Sequence, residues 1–161
     1  MIIFMTLITL YTVFCQQIQV QTDGWRGVVP LRSTRKDVER LLGPAYDATK
    51  SLYKTGRENI SVRYSEGPCV GSTGWKAPLD TVLDITITPR PYGKIRLTEI
   101  DIDRNKFKKT DHPELPGNYH LINEEAGITV YVQKDRVTGE DRLTGLNYKP
   151  AARDKNLRCE L

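Results

Sequence analysis

The order of apolar and polar positions predicts one short helix near the start of the chain. Residues 33–44 read Ser-Thr-Arg-Lys-Asp-Val-Glu-Arg-Leu-Leu-Gly-Pro, and the apolar residues Val38, Leu41 and Leu42 fall at positions i, i+3 and i+4. On a helix this spacing places the three side chains on one stripe, which we expect to be buried.

The ends of this segment carry residues that cap helices. Ser33 or Thr34 can accept hydrogen bonds from the free N–H groups of the first turn, where Asp37 adds a negative charge. Gly43 suits the left-handed conformation that follows a helix, and Pro44 prevents its continuation. The predicted helix is therefore closed at both ends.

Most of the remaining chain alternates apolar with polar residues, which is typical of strands with one buried face. The alternating segments are residues 60–64, 82–88, 100–103, 128–133 and 146–148. We expect residues 25–31 to be extended, and the Gly- and Pro-containing residues 66–78 and 108–118 to be irregular. The predicted fold class is α+β, with one short N-terminal helix packed on a largely antiparallel β-sheet.

One spacing of residues occurs twice, which suggests two pseudo-repeated β-units. In the first half, Tyr53 is followed by Ile60-x-Val62-x-Tyr64 and then by Val82-x-x-Ile85-x-Ile87-x-Pro89. In the second half, Tyr119 is followed by Ile128-x-Val130-x-Val132 and then by Leu143-x-x-Leu146-x-Tyr148-x-Pro150. Two units packed as one pseudo-symmetric sheet would give this pattern. The alternative is that two amphipathic hairpins resemble each other by chance.

The amino terminus predicts export. Residues 2–14 form an uncharged, mostly apolar run, too short for a comfortable membrane span and suited to the core of a signal peptide. We expect a signal peptide over residues 1–15, a flexible lead-in over 16–23 and a single α+β domain over 24–161. The alternatives are an anchor formed by residues 2–14, a lipidated Cys15 and a buried part of the domain.

The cysteine content agrees with export. Removal of residues 1–15 leaves two cysteines, Cys69 and Cys159, and an even pair in an exported protein predicts a disulfide. The alternative is two free, buried thiols. Neither cysteine has a CxxC partner or a nearby His, so no metal site is predicted there. The expected location is secreted or periplasmic.

Composition and charge exclude several classes of protein. The 161 residues fit one domain, and 39% hydrophobic with 27% charged residues excludes collagen-like, fully disordered and polytopic membrane chains. After removal of the signal no transmembrane span is expected. The net charge of +4 is spread evenly, and the small basic cluster of Lys106, Lys108 and Lys109 is flanked by acidic residues. We therefore expect no nucleic-acid partner.

Few residues follow a pattern typical of catalysis. His112 lies in a Pro-containing loop and His120 near the start of a strand, and no GxSxG, HExxH or P-loop motif occurs. Surface positions are expected for both histidines. Acidic residues that alternate with apolar ones are expected on solvated faces, although one pair could bind a cation; they are Asp80, Asp84, Asp101 and Asp103. We predict no catalytic residue, no metal and no cofactor.

The loop of residues 66–78 is the predicted interaction site. It contains Cys69 and Trp75, so a disulfide would pin the loop and present Trp75 to a partner, since Trp is enriched in binding hot spots. The alternative is that Trp75 folds back over the core. Trp25 is a second candidate, although its apolar neighbours also favour a core position.

Residues 33–44 resemble the opening of the SmpA/OmlA (BamE-like) family, which carries a T-x-x-x-V-x-x-x-L-G-x-P-like start before an antiparallel sheet. The contiguous Gly43-Pro44 departs slightly from that pattern. The chain from Gly24-Trp25-Arg26-Gly27-Val28-Val29-Pro30-Leu31 to Leu157-Arg158-Cys159 also looks like uncharacterised exported bacterial proteins. The resemblance implies a helix-plus-sheet module, and BamE-like modules and the β-lactamase-inhibitor protein, which share this layout, bind other proteins.

Three functions follow as hypotheses. The first is a non-enzymatic module of the bacterial envelope or periplasm that binds an unknown protein. The second is a carrier of a small ligand or lipid, which needs a cavity. The third is a hydrolase with dispersed residues around His112 or His120, which needs a His, an Asp and a nucleophile in one cleft.

Overall fold

An eight-stranded antiparallel β-sheet forms the main part of the computed structural model, which describes residues 18–22, 24–70 and 74–160. The strands are β1 (Ile18–Gln19), β2 (Leu52–Lys54), β3 (Glu58–Tyr64), β4 (Val82–Pro89), β5 (Ile95–Arg96), β6 (Ile100–Asp101), β7 (Lys108–Asp111), β8 (Asn118–Asn123), β9 (Ile128–Lys134) and β10 (Asp141–Tyr148). Across the large sheet the order is β2-β3-β4-β10-β9-β8-β7, with β5 also paired to β10. With the helix α1 (Arg35–Leu42), this confirms the predicted α+β class.

The start of the chain is only partly described. The predicted signal peptide, residues 1–15, lies outside the described residues. The stretch predicted as a flexible lead-in contains β1, which forms a separate parallel pair with β6. No helix within the described ranges is long and apolar enough to cross a membrane.

One face of the large sheet carries the hydrophobic core. In β4, Ile85 and Ile87 are 1% and 2% exposed, whereas Thr86 and Thr88 are half-buried on the other face. Successive side chains in a strand point to opposite faces, so the alternation in the sequence sets which face is apolar. We call the opposite, polar side the open face.

The helix is capped as its sequence predicts. The backbone N–H and the hydroxyl of Thr34 each donate a 2.8 Å hydrogen bond to the Asp37 carboxylate, and these bonds lower the pKa of Asp37. Gly43 ends the helix with a φ of 78°, in the left-handed region that favours glycine.

The buried stripe of the helix is narrower than predicted. Val38 is 1% exposed and Leu42 packs against the core, but Leu41 is 44% exposed. The prediction that all three share one buried stripe is wrong for Leu41. Val38 and Leu42 are four residues apart, so both lie on the face of the helix that packs on the core. In this helix of two turns, Leu41 lies at the edge of that face.

The two sequence units form two adjacent meanders, β2-β3-β4 and β8-β9-β10, whose last strands pair. Ile87 pairs with Leu146, and Ile85 pairs with Tyr148. In the repeat, Ile85 corresponds to Leu146 and Ile87 to Tyr148, so a two-fold rotation exchanges the two pairs. This pseudo-axis passes between Thr86 and Asn147, which also pair and hydrogen-bond through their side chains at 3.0 Å.

The inner strands keep the repeat and the outer strands break it. Ile60 pairs with Ile87 as Ile128 pairs with Tyr148. However, Tyr53 pairs with Ile60, whereas Tyr119 pairs with Val132 and not with Ile128. The repeat in the sequence therefore describes the centre of the sheet, and β7 and β8 widen its second half.

Three local predictions are corrected by the structure. Residues 25–31 are not extended, because Trp25 and Val28 close a tight turn through two hydrogen bonds of 2.9 and 2.8 Å. The strand predicted over 100–103 ends at Asp101, and a 3-10 helix follows at Arg104–Lys106. Part of the stretch 108–118 is the edge strand β7. Its four residues are all exposed and polar, so the sequence has no apolar–polar alternation there that would predict a strand.

Candidate binding groove on the open face

A groove of about 390 Å³ lies on the open face, over β4, β8, β9 and β10. Its lining residues are Thr86, Thr88, Tyr92, His112, Asn118, His120, Tyr131, Val132, Thr144 and Gly145. Small-molecule sites in proteins have volumes of about 300–1,000 Å³, so the groove has the size of a binding site.

The floor of the groove depends on Gly145. A β-bulge interrupts the pairing of β10 with β9 between Leu143 and Gly145. A Cβ atom at position 145 would lie 3.4 Å from Cδ2 of Tyr131 and 3.3 Å from the carbonyl oxygen of Ile87. The missing side chain therefore lets the Tyr131 ring, which is half-buried, lie close against the backbone of β10.

Tyr131 is a neutral hydrogen-bonding group in this floor. Burial raises the pKa of Tyr131, and the charge of Asp84 raises it further, so the phenol keeps its proton at physiological pH. Its hydroxyl has no hydrogen-bond partner among the described residues and is not sealed from solvent.

The two histidines meet in this groove. The His112 and His120 rings are 5.8 Å apart between centroids, and His120 stands edge-on to Tyr131 at 4.8 Å. Burial, and to a smaller extent His112, lowers the pKa of His120, so at neutral pH the ring offers one donor and one acceptor. Nδ1 of His112 accepts a 3.2 Å hydrogen bond from the backbone N–H of Glu114.

Threonine hydroxyls and an exposed aromatic ring complete the lining. The Thr144 hydroxyl donates to the Tyr131 carbonyl at 3.1 Å, and the Thr86 hydroxyl accepts from Asn147. Tyr92, on the turn after β4, is 61% exposed at the rim. Each hydroxyl can both donate and accept, so the lining does not fix the direction of a ligand's hydrogen bonds.

The lining contains no Asp, Glu, Lys or Arg. Charged residues make up 27% of the sequence, so a neutral surface of this size is not the average surface of this chain. The nearby charges of Arg63 and Asp84 neutralise each other in a 2.6 Å hydrogen bond. The groove therefore offers polar groups without a net charge.

The structure brings together the two cysteines that the sequence paired. The sulfur atoms of Cys69 and Cys159 lie 2.09 Å apart, at the distance of a disulfide bond. Backbone hydrogen bonds tie the same segments, since Cys159 donates to Gly74 at 2.7 Å and Lys76 donates to Leu157 at 2.8 Å.

The two tryptophans lie in different surroundings. Trp25 is 7% exposed and belongs to the core, the position that its apolar neighbours also favour. Trp75 is half-buried and pairs with Arg158, whose guanidinium is 5.5 Å from the ring. Neither tryptophan lines the groove.

The candidate acidic and basic residues form ordinary surface pairs. Arg35 binds Asp80 at 2.8 Å, and Lys109 lies 3.4 Å from Asp111. Asp103 accepts a hydrogen bond from the backbone of Asn105 and does not share a strand with Asp101. Within the described ranges no three His, Cys, Asp or Glu side chains are grouped to hold a metal ion.

Sequence reasoning named both histidines but missed the rest of the groove. Thr86, Thr88 and Tyr131 alternate with core residues in segments that the sequence predicts as strands, so the alternation predicts that they share a face. The sequence does not predict the order of the strands in the sheet, and that order creates the groove.

Comparisons with known proteins add little to this description. No family model matches the chain, and no curated protein matches it. One similar solved structure is a DUF4309 family protein (YjgB) from Bacillus subtilis subsp. subtilis str. 168, at a TM-score of 0.49 and 11% identity. The alignment covers 84% of this chain and 88% of that protein.

Proposed function

We propose that this chain is a non-catalytic binding module of an exported protein and that the groove on the open face is its ligand site. The observation that carries the proposal is the neutral polar lining, which gathers threonines, tyrosines, histidines and an asparagine from four strands and two loops. Convergent polar groups in a concave site of this volume are typical of ligand recognition.

The chemistry of the groove favours binding over hydrolysis. A catalytic His works with a carboxylate that orients it and with a nucleophile in reach. His112 and His120 share the groove, but no carboxylate lines it, and the His120 ring has no hydrogen-bond partner among the described residues.

The position of the groove distinguishes it from the two other predicted sites. A lipid carrier would hold an apolar cavity between sheet and helix, whereas this groove is polar and lies on the opposite face. The loop with Trp75 is the alternative contact surface, but Trp75 is half-buried against Arg158. A small polar ligand in the groove is therefore the function that the geometry favours.

Export remains part of the proposal. It is supported by the uncharged run of residues 2–14 and by two cysteines at disulfide distance, since such pairs persist in oxidising compartments. Expression of the full chain in a bacterial host, followed by intact mass measurement, tests it. A mass that lacks residues 1–15 supports export, and a full-length reduced chain contradicts it.

Binding is tested on the same purified protein by protein-observed NMR against a library of neutral, charged and apolar small molecules. We expect neutral polar compounds to shift the amide signals of His120, Tyr131 and Gly145. One-dimensional spectra of each compound, recorded before and after incubation, report any turnover.

The double variant Tyr131→Arg/Gly145→Asp is the sharpest test. Arg63 and Asp84 form an ion pair at the same register in the first unit, so the double variant copies a tolerated pair into the groove. It should keep a folded spectrum and lose the neutral hits. Thr88→Tyr, which fills the groove by another route, should also lose them.

Two results contradict this proposal. In one, the hits shift residues around Trp75 and survive both groove variants, which moves the site to the loop. In the other, compounds are chemically converted by the protein and not by the variants, which makes the groove an active site.

A further inference from the structure

We infer that the ligand of the groove is a neutral carbohydrate, a chain of pyranose sugars without charged substituents. This inference rests on the proposed function, because it names the ligand class of the same site. Charge, hydrogen-bonding capacity, aromatic surface and strand position each point to it.

The composition of the lining argues against ionic ligands, because it contains no Asp, Glu, Lys or Arg. Phosphates, carboxylates and ammonium groups lose hydration on binding and need an opposite charge to compensate that loss. The lining contains no carboxylate, ammonium or guanidinium group, and burial lowers the pKa of His120, which disfavours its charged form. A ligand without formal charge needs no compensation.

The hydrogen-bonding groups match hydroxyl-rich ligands. The hydroxyls of Thr86, Thr88 and Tyr131 can donate and accept, as can the neutral imidazole of His120 and the amide of Asn118. Sugar hydroxyls also do both, so each ligand hydroxyl can meet its requirement in more than one direction. An apolar ligand would leave these groups without partners.

Two tyrosine rings supply the apolar contact that a sugar ring needs. The faces of aromatic rings are electron-rich and attract the polarised C–H groups on one side of a pyranose. Tyr92 is 61% exposed at the rim, and the half-buried Tyr131 ring lies in the floor against Gly145.

The strand order argues against an extended peptide as the ligand. Peptides commonly bind by adding a strand to a sheet edge, where backbone groups are free. The floor strands β4, β9 and β10 are interior strands with neighbours on both sides, so their backbone groups are already paired. Recognition in the groove must therefore come from side chains.

The test uses oligosaccharides of one length and different charge. The probes are cellohexaose, maltohexaose, mannohexaose and chitohexaose, with the cationic hexamer of glucosamine and an oligogalacturonate as charged counterparts. NMR titration and calorimetry of the purified protein measure binding. We expect at least one neutral probe to bind and shift Gly145 and His120, and the charged probes to bind at least tenfold more weakly.

Matched tyrosine variants separate the groove from the general surface. Tyr92 and Tyr46 are 61% and 54% exposed, but Tyr46 does not line the groove. Tyr92→Ala should weaken binding of the neutral probe about fivefold, because an aromatic contact contributes on the order of 1 kcal/mol. Tyr46→Ala should leave it unchanged.

The outcomes distinguish the two levels of the proposal. If the small-molecule library labels the groove but no neutral hexamer binds there, the carbohydrate inference fails and the binding module stands. The same holds if charged hexamers bind as well, or if an extended neutral peptide binds there instead. If neither library nor hexamers label the groove, both proposals fail.

Discussion

Removal of the link between Cys69 and Cys159 should lower the free energy of unfolding without changing the fold. The two residues are 90 positions apart. In the chain-entropy model a closed loop of this length restricts the unfolded chain and stabilises the protein by about 4–5 kcal/mol at 25 °C. Backbone hydrogen bonds such as the one from Cys159 to Gly74 survive the change, so the loss arises in the unfolded state.

The assay is urea denaturation of the parent and of Cys69→Ser/Cys159→Ser, followed by far-ultraviolet circular dichroism and tryptophan fluorescence. The single variant Cys69→Ser should lose as much stability as the double variant, because either change opens the loop. Reduction of the parent by dithiothreitol should give the same midpoint. A loss below about 1 kcal/mol in the double variant would refute the reasoning, since loop closure would then contribute little to stability.

Two further predictions concern a turn and the groove. Gly127→Ala should destabilise the protein by about 3 kcal/mol or more, because Gly127 has a φ of 70° and a Cβ there would lie 2.2 Å from the carbonyl oxygen of Lys149. Gly139→Ala is the control: its φ is 73° but the space around it is open, so it should destabilise the protein by only about 1 kcal/mol. Thermal unfolding of the two variants measures the difference. Because the pKa of His120 is lowered in the folded protein, the unfolded chain binds more protons just below pH 6.5, and the free energy of unfolding should fall as the pH falls below 6.5. Denaturation across pH 5–8 measures this dependence. The same dependence of the free energy of unfolding on pH in His120→Gln would contradict the prediction.

The sequence predicts the fold well where one physical rule decides. The helix ends follow from local chemistry, since Thr34, Asp37 and Gly43 act within one turn of their own positions. Burial within a strand follows from period-two alternation, which places Ile85 and Ile87 in the core. These rules need no knowledge of the rest of the chain.

The sequence fails where distant segments decide. Leu41 obeys the helical spacing but lies beyond the reach of the core. The edge strand β7 is entirely polar, so only its pairing with β8 identifies it. The groove has the same origin, because His112 and Thr86 line one groove only when β4 packs beside β10 and the second meander extends beyond it.

The pseudo-symmetry of the sheet explains why most of the groove is formed by the second half of the chain. Arg63 faces Asp84 across β3 and β4, and the equivalent cross-strand pair in β9 and β10 is Tyr131 with Gly145. The first pair fills its part of the open face with an ion pair, while the second pair places an uncharged aromatic ring against a residue without a side chain.

The two halves therefore use one backbone arrangement for different chemistry. An ion pair with a half-exposed arginine contributes about 0–1 kcal/mol of stability, so a different pair at the same register in the second half costs little in folding. Compared with Arg63 and Asp84, the pair of Tyr131 and Gly145 has no charge and less bulk at the same register. A neutral groove needs both differences. Because β7 and β8 extend only the second half, the histidines stand beside the tyrosine ring and not beside the ion pair. The chemistry of the groove thus follows from one different side-chain pair and from the strands β7 and β8 that widen the second half. Because that pair carries no charge, the ligand that we infer is neutral.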